Sequence, residues 1–159
     1  TMNRTFCLIA TVTLLIAALP AAAQMSDTDY LQQLRADIQA DRQALVAANM
    51  GLTDEEGEAF WPVYRDYRND MAKTGDRMQK LIQDYAEVWN TATEDEAKKM
   101  LDEMLAIQHD ELKVKKAHLS NFRKVLSEVQ VARLYQIENK IDAAIRVELA
   151  SGISLIESQ

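Results

Sequence analysis

The feature that most constrains the fold is a run of aromatic and aliphatic side chains between residues 60 and 88. Successive members are separated alternately by four and by three residues. A period of about 3.5 residues, sustained over this length, is typical of a helix that packs lengthwise against another helix. We therefore predict a helix from Asp54 to Trp89, which would be about 54 Å long at 1.5 Å per residue. The run consists of Phe60, Tyr64, Tyr67, Met71, Thr74, Met78, Leu81, Tyr85 and Val88.

Composition excludes the fold classes that need frequent turns. The 159 residues include only four glycines and two prolines, while 48% are hydrophobic and 27% are charged. A β-sandwich or a doubly wound α/β fold requires turn residues at short intervals, and this chain does not supply them. The length suits one domain. We predict a single all-α domain.

Three capping boxes mark helix starts. In each, a serine or threonine is followed three residues later by a glutamate or glutamine, so that the two side chains can satisfy each other's backbone N–H groups. The pairs are Thr53 with Glu56, Thr93 with Glu96, and Ser127 with Gln130. Leu126, just before its cap, is placed to pack on Val131. Helices are therefore expected to begin close to residues 54, 94 and 128.

Apolar spacing and these caps predict four helices. Their expected ranges are 30–50, 54–89, 93–125 and 127–152. The third helix carries an apolar set that we expect on one broad face: Met100, Leu101, Met104, Leu105, Leu112, Leu119 and Phe122. Because the second connection is short, the second and third helices should form a long antiparallel hairpin over 54–125.

The apolar run on the second helix forms the seam of the hairpin, and the two flanking helices should leave part of this seam uncovered. The first helix is thin in large apolar residues, and the fourth is shorter than the hairpin. Exposed seam of this kind favours association with a second copy, which predicts a homodimer. The alternative is a monomer in which the first helix closes the seam. The residues concerned are Met71, Met78, Leu81 and Tyr85.

The N-terminus has the pattern of a secretory signal. Arg4 precedes the uncharged run Phe6–Leu19, and Pro20 and three alanines follow. We expect cleavage after residue 23, leaving a domain of residues 24–159. The alternative is an uncleaved anchor, although the apolar run is short for a membrane span. Cys7, the only cysteine, would be removed, so no internal disulfide can form and a periplasmic location is favoured.

Charge and motifs exclude several function classes. The net charge of −7 argues against nucleic acid as a partner. The chain has no Gly-rich phosphate loop, no G-x-S-x-G and no C-x-x-C, so we predict no catalysis and no cofactor. His109 and His118 have neither a carboxylate nor a second histidine three or four residues away. We interpret them as partly exposed helix residues and predict no metal site, unless another helix or a second subunit supplies ligands.

Two groups of side chains are candidates for binding apolar segments of another chain. One is aromatic and flanked by charges; the other is a basic stretch with no acidic residue from 112 to 127. The competing interpretation of the aromatic group is that its side chains pack in the core. The competing interpretation of the basic group is that its charges complement the dipole at the C-terminal end of the helix. The aromatic candidates are Phe60, Trp61, Tyr64 and Tyr67, and the basic candidates are Lys113, Lys116, Arg123 and Lys124.

Two of the caps belong to a repeated motif. Leu52-Thr53-x-x-Glu56 and Leu126-Ser127-x-x-Gln130 lie 74 residues apart. The pair resembles the motif of the LTXXQ family of periplasmic proteins, the Spy and CpxP group, whose relatives include zinc-resistance-associated proteins. The resemblance covers about 51–149, with Glu56 in place of the first glutamine and Ser127 in place of the second threonine.

The resemblance carries an expectation about function. It implies a periplasmic binding protein of the envelope stress response: an ATP-independent chaperone or adaptor that holds unfolded or misfolded envelope proteins. It also implies a homodimer without stable membrane insertion. The alternative that it leaves open is a periplasmic metal-binding sensor or buffer, similar to the zinc-, nickel- and copper-responsive relatives.

Overall fold

A computed structural model describes residues 40–156 of the chain. Residues 1–39 and 157–159 lie outside this range. The predicted signal, residues 1–23, and the predicted N-terminal part of the first helix, residues 30–39, therefore fall outside the described residues.

The described part of the chain is all-α, with four helices and no strand, and 88% of its residues are helical. The first helix, α1, occupies residues 40–50 of the described range. It is followed by α2 (Asp54–Val88), α3 (Glu94–Val125) and α4 (Glu128–Gly152). The predicted fold class is confirmed, and the predicted boundaries of α2, α3 and α4 agree to within about one residue. No described helix has an apolar stretch long enough to cross a bilayer.

All three predicted capping boxes are present. The backbone N–H of Glu56 donates to Thr53 Oγ1 at 3.2 Å, and Glu56 accepts from the Thr53 N–H at 2.9 Å. The boxes at Thr93 and Ser127 have the same reciprocal pattern. Between α1 and α2, Gly51 has a φ of 63°, a left-handed conformation that glycine adopts without steric cost. Local sequence chemistry thus accounts for each helix start.

The two Leu-[Ser/Thr] motifs touch each other. Gln130 Nε2 donates to Glu56 Oε1 at 2.9 Å across 74 residues of sequence. The Tyr64 hydroxyl donates to Glu138 Oε1 at 2.7 Å, a pair also separated by 74 residues. A constant offset means that α2 and α4 begin level with each other and run in the same direction over this stretch.

Contacts between α2 and α3 follow the opposite order. Arg77 bonds to Glu103 and Asp110, whereas Asp70, earlier in α2, contacts His118, later in α3. The Phe60 and Phe122 rings lie 6.2 Å apart, continuing the same trend. Along this stretch the two helices lie side by side with opposed chain directions.

The main buried cluster lies towards one end of this pair of helices, and Ile107 of α3 is fully buried outside that cluster. Within the α2 stripe, Phe60, Tyr64, Tyr67, Met71 and Thr74 are buried, whereas Met78, Leu81, Tyr85 and Val88 are half-buried. Met71 is 8% exposed, so its assignment to the uncovered seam is wrong. The buried cluster also takes side chains from the other three helices and from the residue that follows α3: Val46, Met50, Phe122, Leu126, Val131 and Leu134.

Candidate functional site

The predicted aromatic binding residues lie mostly in the core. Phe60, Tyr64 and Tyr67 are 0%, 3% and 1% exposed, because their stripe on α2 faces α3, α4 and the end of α1. In this conformation they offer no surface to another chain, and the aromatic part of the predicted site narrows to Trp61. Its half-buried indole packs edge-on against Phe60 and Tyr64, at centroid distances of 4.9 and 5.7 Å.

Trp61 lines an open groove of about 440 Å³ beside the start of α2. Gly57 lies against the indole, where a Cβ would make an ordinary van der Waals contact with Trp61 Nε1 at 3.6 Å. The other lining residues include the carboxylates of Asp54 and Glu58 and the methyl group of Ala47 from α1. The exposed part of Trp61 therefore faces acidic side chains, and none of the predicted basic candidates lines this groove.

The four basic candidates are all exposed on α3, but they differ in their partners. Arg123 pairs with Glu128 at 2.8 Å, and Lys124 donates to the Asn121 side chain at 3.2 Å. Among the described residues, Lys113, Lys116 and Lys124 have no ion-pair partner within 4 Å, although the charge of Lys113 acts on Asp110 and helps to lower the pKa of that carboxyl group. A bond to the neutral Asn121 side chain does not neutralise Lys124, so three of the four basic candidates keep an uncompensated charge.

Beside these lysines, α3 presents apolar side chains to solvent. Leu101, Leu105 and Leu112 are 52%, 52% and 51% exposed, and their spacings of four and seven residues place them on one face. We call these three residues the leucine strip. They lie outside the core, because the buried side of α3 is formed by Ile107, His118 and Phe122.

The leucine strip lies between Lys113 and Lys116 on one side and α4 on the other. Lys116 follows Leu112 by one helical turn, so the ammonium group lies at the edge of the strip. On the other side, Leu112 lines a shallow groove with Gln108, Glu111, Lys115 and Arg146 of α4. Arg146 holds this side in place through its bond to Glu111 at 2.9 Å. The result is an apolar surface with cations along one border, a combination suited to an apolar segment that carries acidic residues.

A buried polar network joins α1, α2, α3 and α4 and was not predicted. Glu138 is 1% exposed and accepts hydrogen bonds from Arg42 at 2.7 Å, from the Tyr64 hydroxyl at 2.7 Å and from Arg68 at 3.2 Å. One turn later, Asp142 accepts from Arg42 at 2.9 Å and from Lys115 at 3.1 Å.

Electrostatics in this network follow from burial and from the paired charges. Burial raises the pKa of the Tyr64 hydroxyl, and the charge of Glu138 raises it further. For Asp142, burial acts to raise the pKa, but the charges of Arg42 and Lys115 outweigh it and hold the pKa below its ordinary value. Asp142 is thus kept ionised by cations, and Tyr64 remains a hydrogen-bond donor to Glu138.

A sequence signal for the network exists in the helical spacing. Arg42 stands one turn before Val46 on the apolar face of α1, and Glu138 stands one turn after Leu134 on the apolar face of α4. A charged residue on an apolar stripe is expected to be buried only with a partner. Two such residues of opposite charge indicate a buried pair, although the spacing does not show that they meet.

The two histidines have different environments. His118 is buried, which contradicts its interpretation as a partly exposed residue, and its Nε2 lies 2.8 Å from Asp70 Oδ2. The Tyr67 ring packs against it at a centroid distance of 5.6 Å. His109 is exposed. Over residues 40–156, no group of three or more histidine, cysteine, aspartate or glutamate side chains is arranged to hold a metal ion.

Comparison with known proteins adds no relative. No protein-family model, no curated protein and no solved structure matches the chain. Functional inference therefore depends on the surfaces described above and on the motif resemblance.

Proposed function

We propose that the protein is a periplasmic binding protein of the envelope stress response, which holds unfolded clients without ATP and without catalysis. The observation that carries the proposal is the leucine strip beside Lys113 and Lys116. An exposed row of large apolar side chains with a charged border is typical of a site for another polypeptide. The paired Leu-[Ser/Thr] motifs, which resemble those of the LTXXQ family, support the same function.

The size of the strip favours weak, reversible binding. Complete burial of a leucine side chain is worth about 1.5–3 kcal/mol, and each leucine of the strip is already about half covered. Covering all three would therefore contribute on the order of 3 kcal/mol, from which the costs of association must be subtracted. A single strip cannot hold a folded partner tightly, but it suits transient capture of apolar segments from many clients.

The proposal includes a homodimer, which would double the available surface. The half-buried part of the α2 stripe, Met78, Leu81 and Tyr85, supports it. Sedimentation equilibrium over a hundredfold range of concentration tests this part. We expect a rise in mass that Met78→Glu abolishes, and a constant monomer mass would refute it.

The client-holding proposal is tested by aggregation of a chemically denatured model protein. We expect the double variant Leu105→Asp, Leu112→Asp to lose most of the suppression shown by the wild-type protein. The matched control is Val129→Asp, because Val129 is an exposed apolar residue, 79% exposed, at the start of α4. Circular dichroism should show that both variants remain folded.

Two outcomes would contradict the proposal. One is full suppression by the double variant, which would show that the strip is not the binding surface. The other is tight zinc binding in a calorimetric titration together with no suppression by the wild-type protein. That result would favour the metal-binding alternative of the resembling family.

A further inference from the structure

The contacts of α1 with the rest of the protein are confined to one side. Over residues 41–50, the buried side chains are Arg42, Val46 and Met50, one per turn, and the residues between them are exposed. Val46 and Met50 belong to the same buried cluster as Phe60 and Tyr64 of α2. Two apolar side chains and one cation therefore attach this segment to the other helices.

The network beneath α1 is complete without it. If Arg42 is removed, Glu138 keeps its hydrogen bonds from Tyr64 and Arg68, and Asp142 keeps its ion pair with Lys115. Two carboxylates then face two cations. Within Arg42 itself, Nε is buried without a hydrogen-bond partner. Departure of α1 would thus leave neither carboxylate unpaired and would return a buried guanidinium to water, where it is fully solvated.

The joint between α1 and α2 suits such a movement. Gly51 has the left-handed φ of 63°, and a Cβ built there would meet no atom within 4 Å. Thr53, two residues later, caps α2 through its own side chain, so the start of α2 does not depend on α1. The chain can therefore change direction at Gly51 while α2 remains intact.

We propose that α1 is a releasable clasp, which turns about Gly51 and opens the aromatic cluster of Phe60, Trp61 and Tyr64 to apolar segments. Ala47 of α1 shares a groove with Trp61, which places the clasp directly beside this cluster. The occupant of the opened cluster is an apolar segment of a client protein, and this part of the inference rests on the proposed function. It gives the buried aromatic residues a role in binding after α1 has moved.

Hydrogen exchange in the full chain tests the release itself. In the wild-type protein, amides of residues 44–50 should exchange at least tenfold faster than those of residues 60–74 and 131–138. Arg42→Asp places a third carboxylate against Glu138 and Asp142, and it should remove protection from 44–50 alone. The control is Gln43→Asp, because Gln43 is the exposed neighbour on the same helix and its substitution should leave the exchange unchanged.

Either of two exchange results would overturn the clasp. Equal protection of α1 and the core in the wild-type protein would show that α1 opens only when the whole protein unfolds. Loss of protection throughout α2, α3 and α4 in Arg42→Asp would show that α1 is an integral part of the fold.

A second measurement connects release to binding. Arg42→Asp should bind several-fold more 8-anilinonaphthalene-1-sulfonate than Gln43→Asp, and it should suppress client aggregation at a lower molar ratio than the wild-type protein. If hydrogen exchange shows release of α1 but neither the variant nor the wild-type protein suppresses aggregation, the proposed function is refuted and the release of α1 is still supported. If α1 is released and dye binding does not rise, the proposed opening of the aromatic cluster is refuted.

Discussion

Replacing Glu138 with leucine should destabilise the protein more than replacing any exposed carboxylate. Glu138 is 1% exposed and accepts from three donors on two other helices, Arg42, Tyr64 and Arg68. Leucine preserves most of the side-chain volume but provides no acceptor. The substitution therefore isolates the electrostatic role of the carboxylate from its contribution to packing.

The magnitude can be worked out from what each donor loses. Arg42 keeps its ion pair with Asp142, so it loses one hydrogen bond to a charged group, worth about 1.5–3 kcal/mol. Escape of Arg42 to water with α1 would cost more, because it would expose Val46 and Met50, whose burial is worth about 1.5–3 kcal/mol each. Arg68 loses a hydrogen bond of the same kind, which counts for less because its side chain is 22% exposed. The Tyr64 hydroxyl, left without its acceptor, adds about 1 kcal/mol or more.

Urea denaturation followed by circular dichroism measures this loss. A decrease of about 4 kcal/mol, with a slope of about 2 kcal/mol per molar urea, lowers the midpoint by about 2 M. The matched control is Glu128→Leu, in the first turn of the same helix, where the side chain is 71% exposed and pairs with Arg123. Its midpoint should change by less than about 0.5 M. Equal shifts in the two variants would refute the energetic role that we assign to the buried network.

Three further predictions concern other contacts. Gln130→Ala should raise the pKa of Glu56 towards its ordinary value, because the hydrogen bond from Gln130 is the main cause of its lowered pKa. NMR titration measures this pKa, and an unchanged value would contradict the hydrogen bond between the two motifs. Because the folded-state pKa of Asp142 is lowered, its contribution to stability should be present above its ordinary pKa of 3.8 and be lost as the pH falls through the folded-state value. Asp142→Asn should therefore show a flatter loss of stability in acid, and an acid profile identical to that of the wild-type protein would be inconsistent with this. Phe122→Ala should lower the free energy of unfolding by about 3–5 kcal/mol, because it removes a fully buried ring that contacts Phe60, Tyr67 and Tyr135. Thermal or urea unfolding measures this change. The control Leu155→Ala, at a residue that is 88% exposed, should leave the free energy of unfolding nearly unchanged, and similar losses in the two variants would contradict the prediction.

Helix starts could be predicted from the sequence because capping is a local interaction. Thr53, Thr93 and Ser127 each bond to a residue three positions later, so the chemistry that starts each helix is contained in four consecutive residues. The same applies to the class of fold, since helical period and scarce turn residues are visible without knowledge of any partner.

Contacts between distant residues could not be predicted in this way. Arg42 and Glu138 are 96 residues apart, and their meeting depends on how α1 and α4 lie against each other. For α3, spacing placed Leu105, Leu112 and Phe122 on one broad side, but only packing against α2 and α4 decides which part of that side is covered. Phe122 lies within the core and the two leucines do not. Periodicity identifies a face, whereas the neighbouring helices determine its burial.

The spacing of the two motifs explains where the core ends. The links from Glu56 to Gln130 and from Tyr64 to Glu138 share an offset of 74 residues, so residues 130–138 of α4 lie level with residues 56–64 of α2. If this register continues to the end of α4, its last residue, Gly152, lies near the level of Met78. Thr74 is the last buried residue of the α2 stripe, and from Met78 onward its residues are half-buried.

Beyond the end of α4, the short tail supplies limited cover. The Tyr85 hydroxyl donates to the Ser154 carbonyl at 2.6 Å, and the apolar side chain of Leu155 remains 88% exposed. The distance between the motifs, together with the 25 residues of α4, thus leaves the last turns of α2 without a third helix over the described residues. Lengthening α4 by two turns of alanine and leucine before Gly152 would extend the core along α2. The surface available to a second chain would shrink correspondingly, so stability should increase while binding of apolar segments decreases.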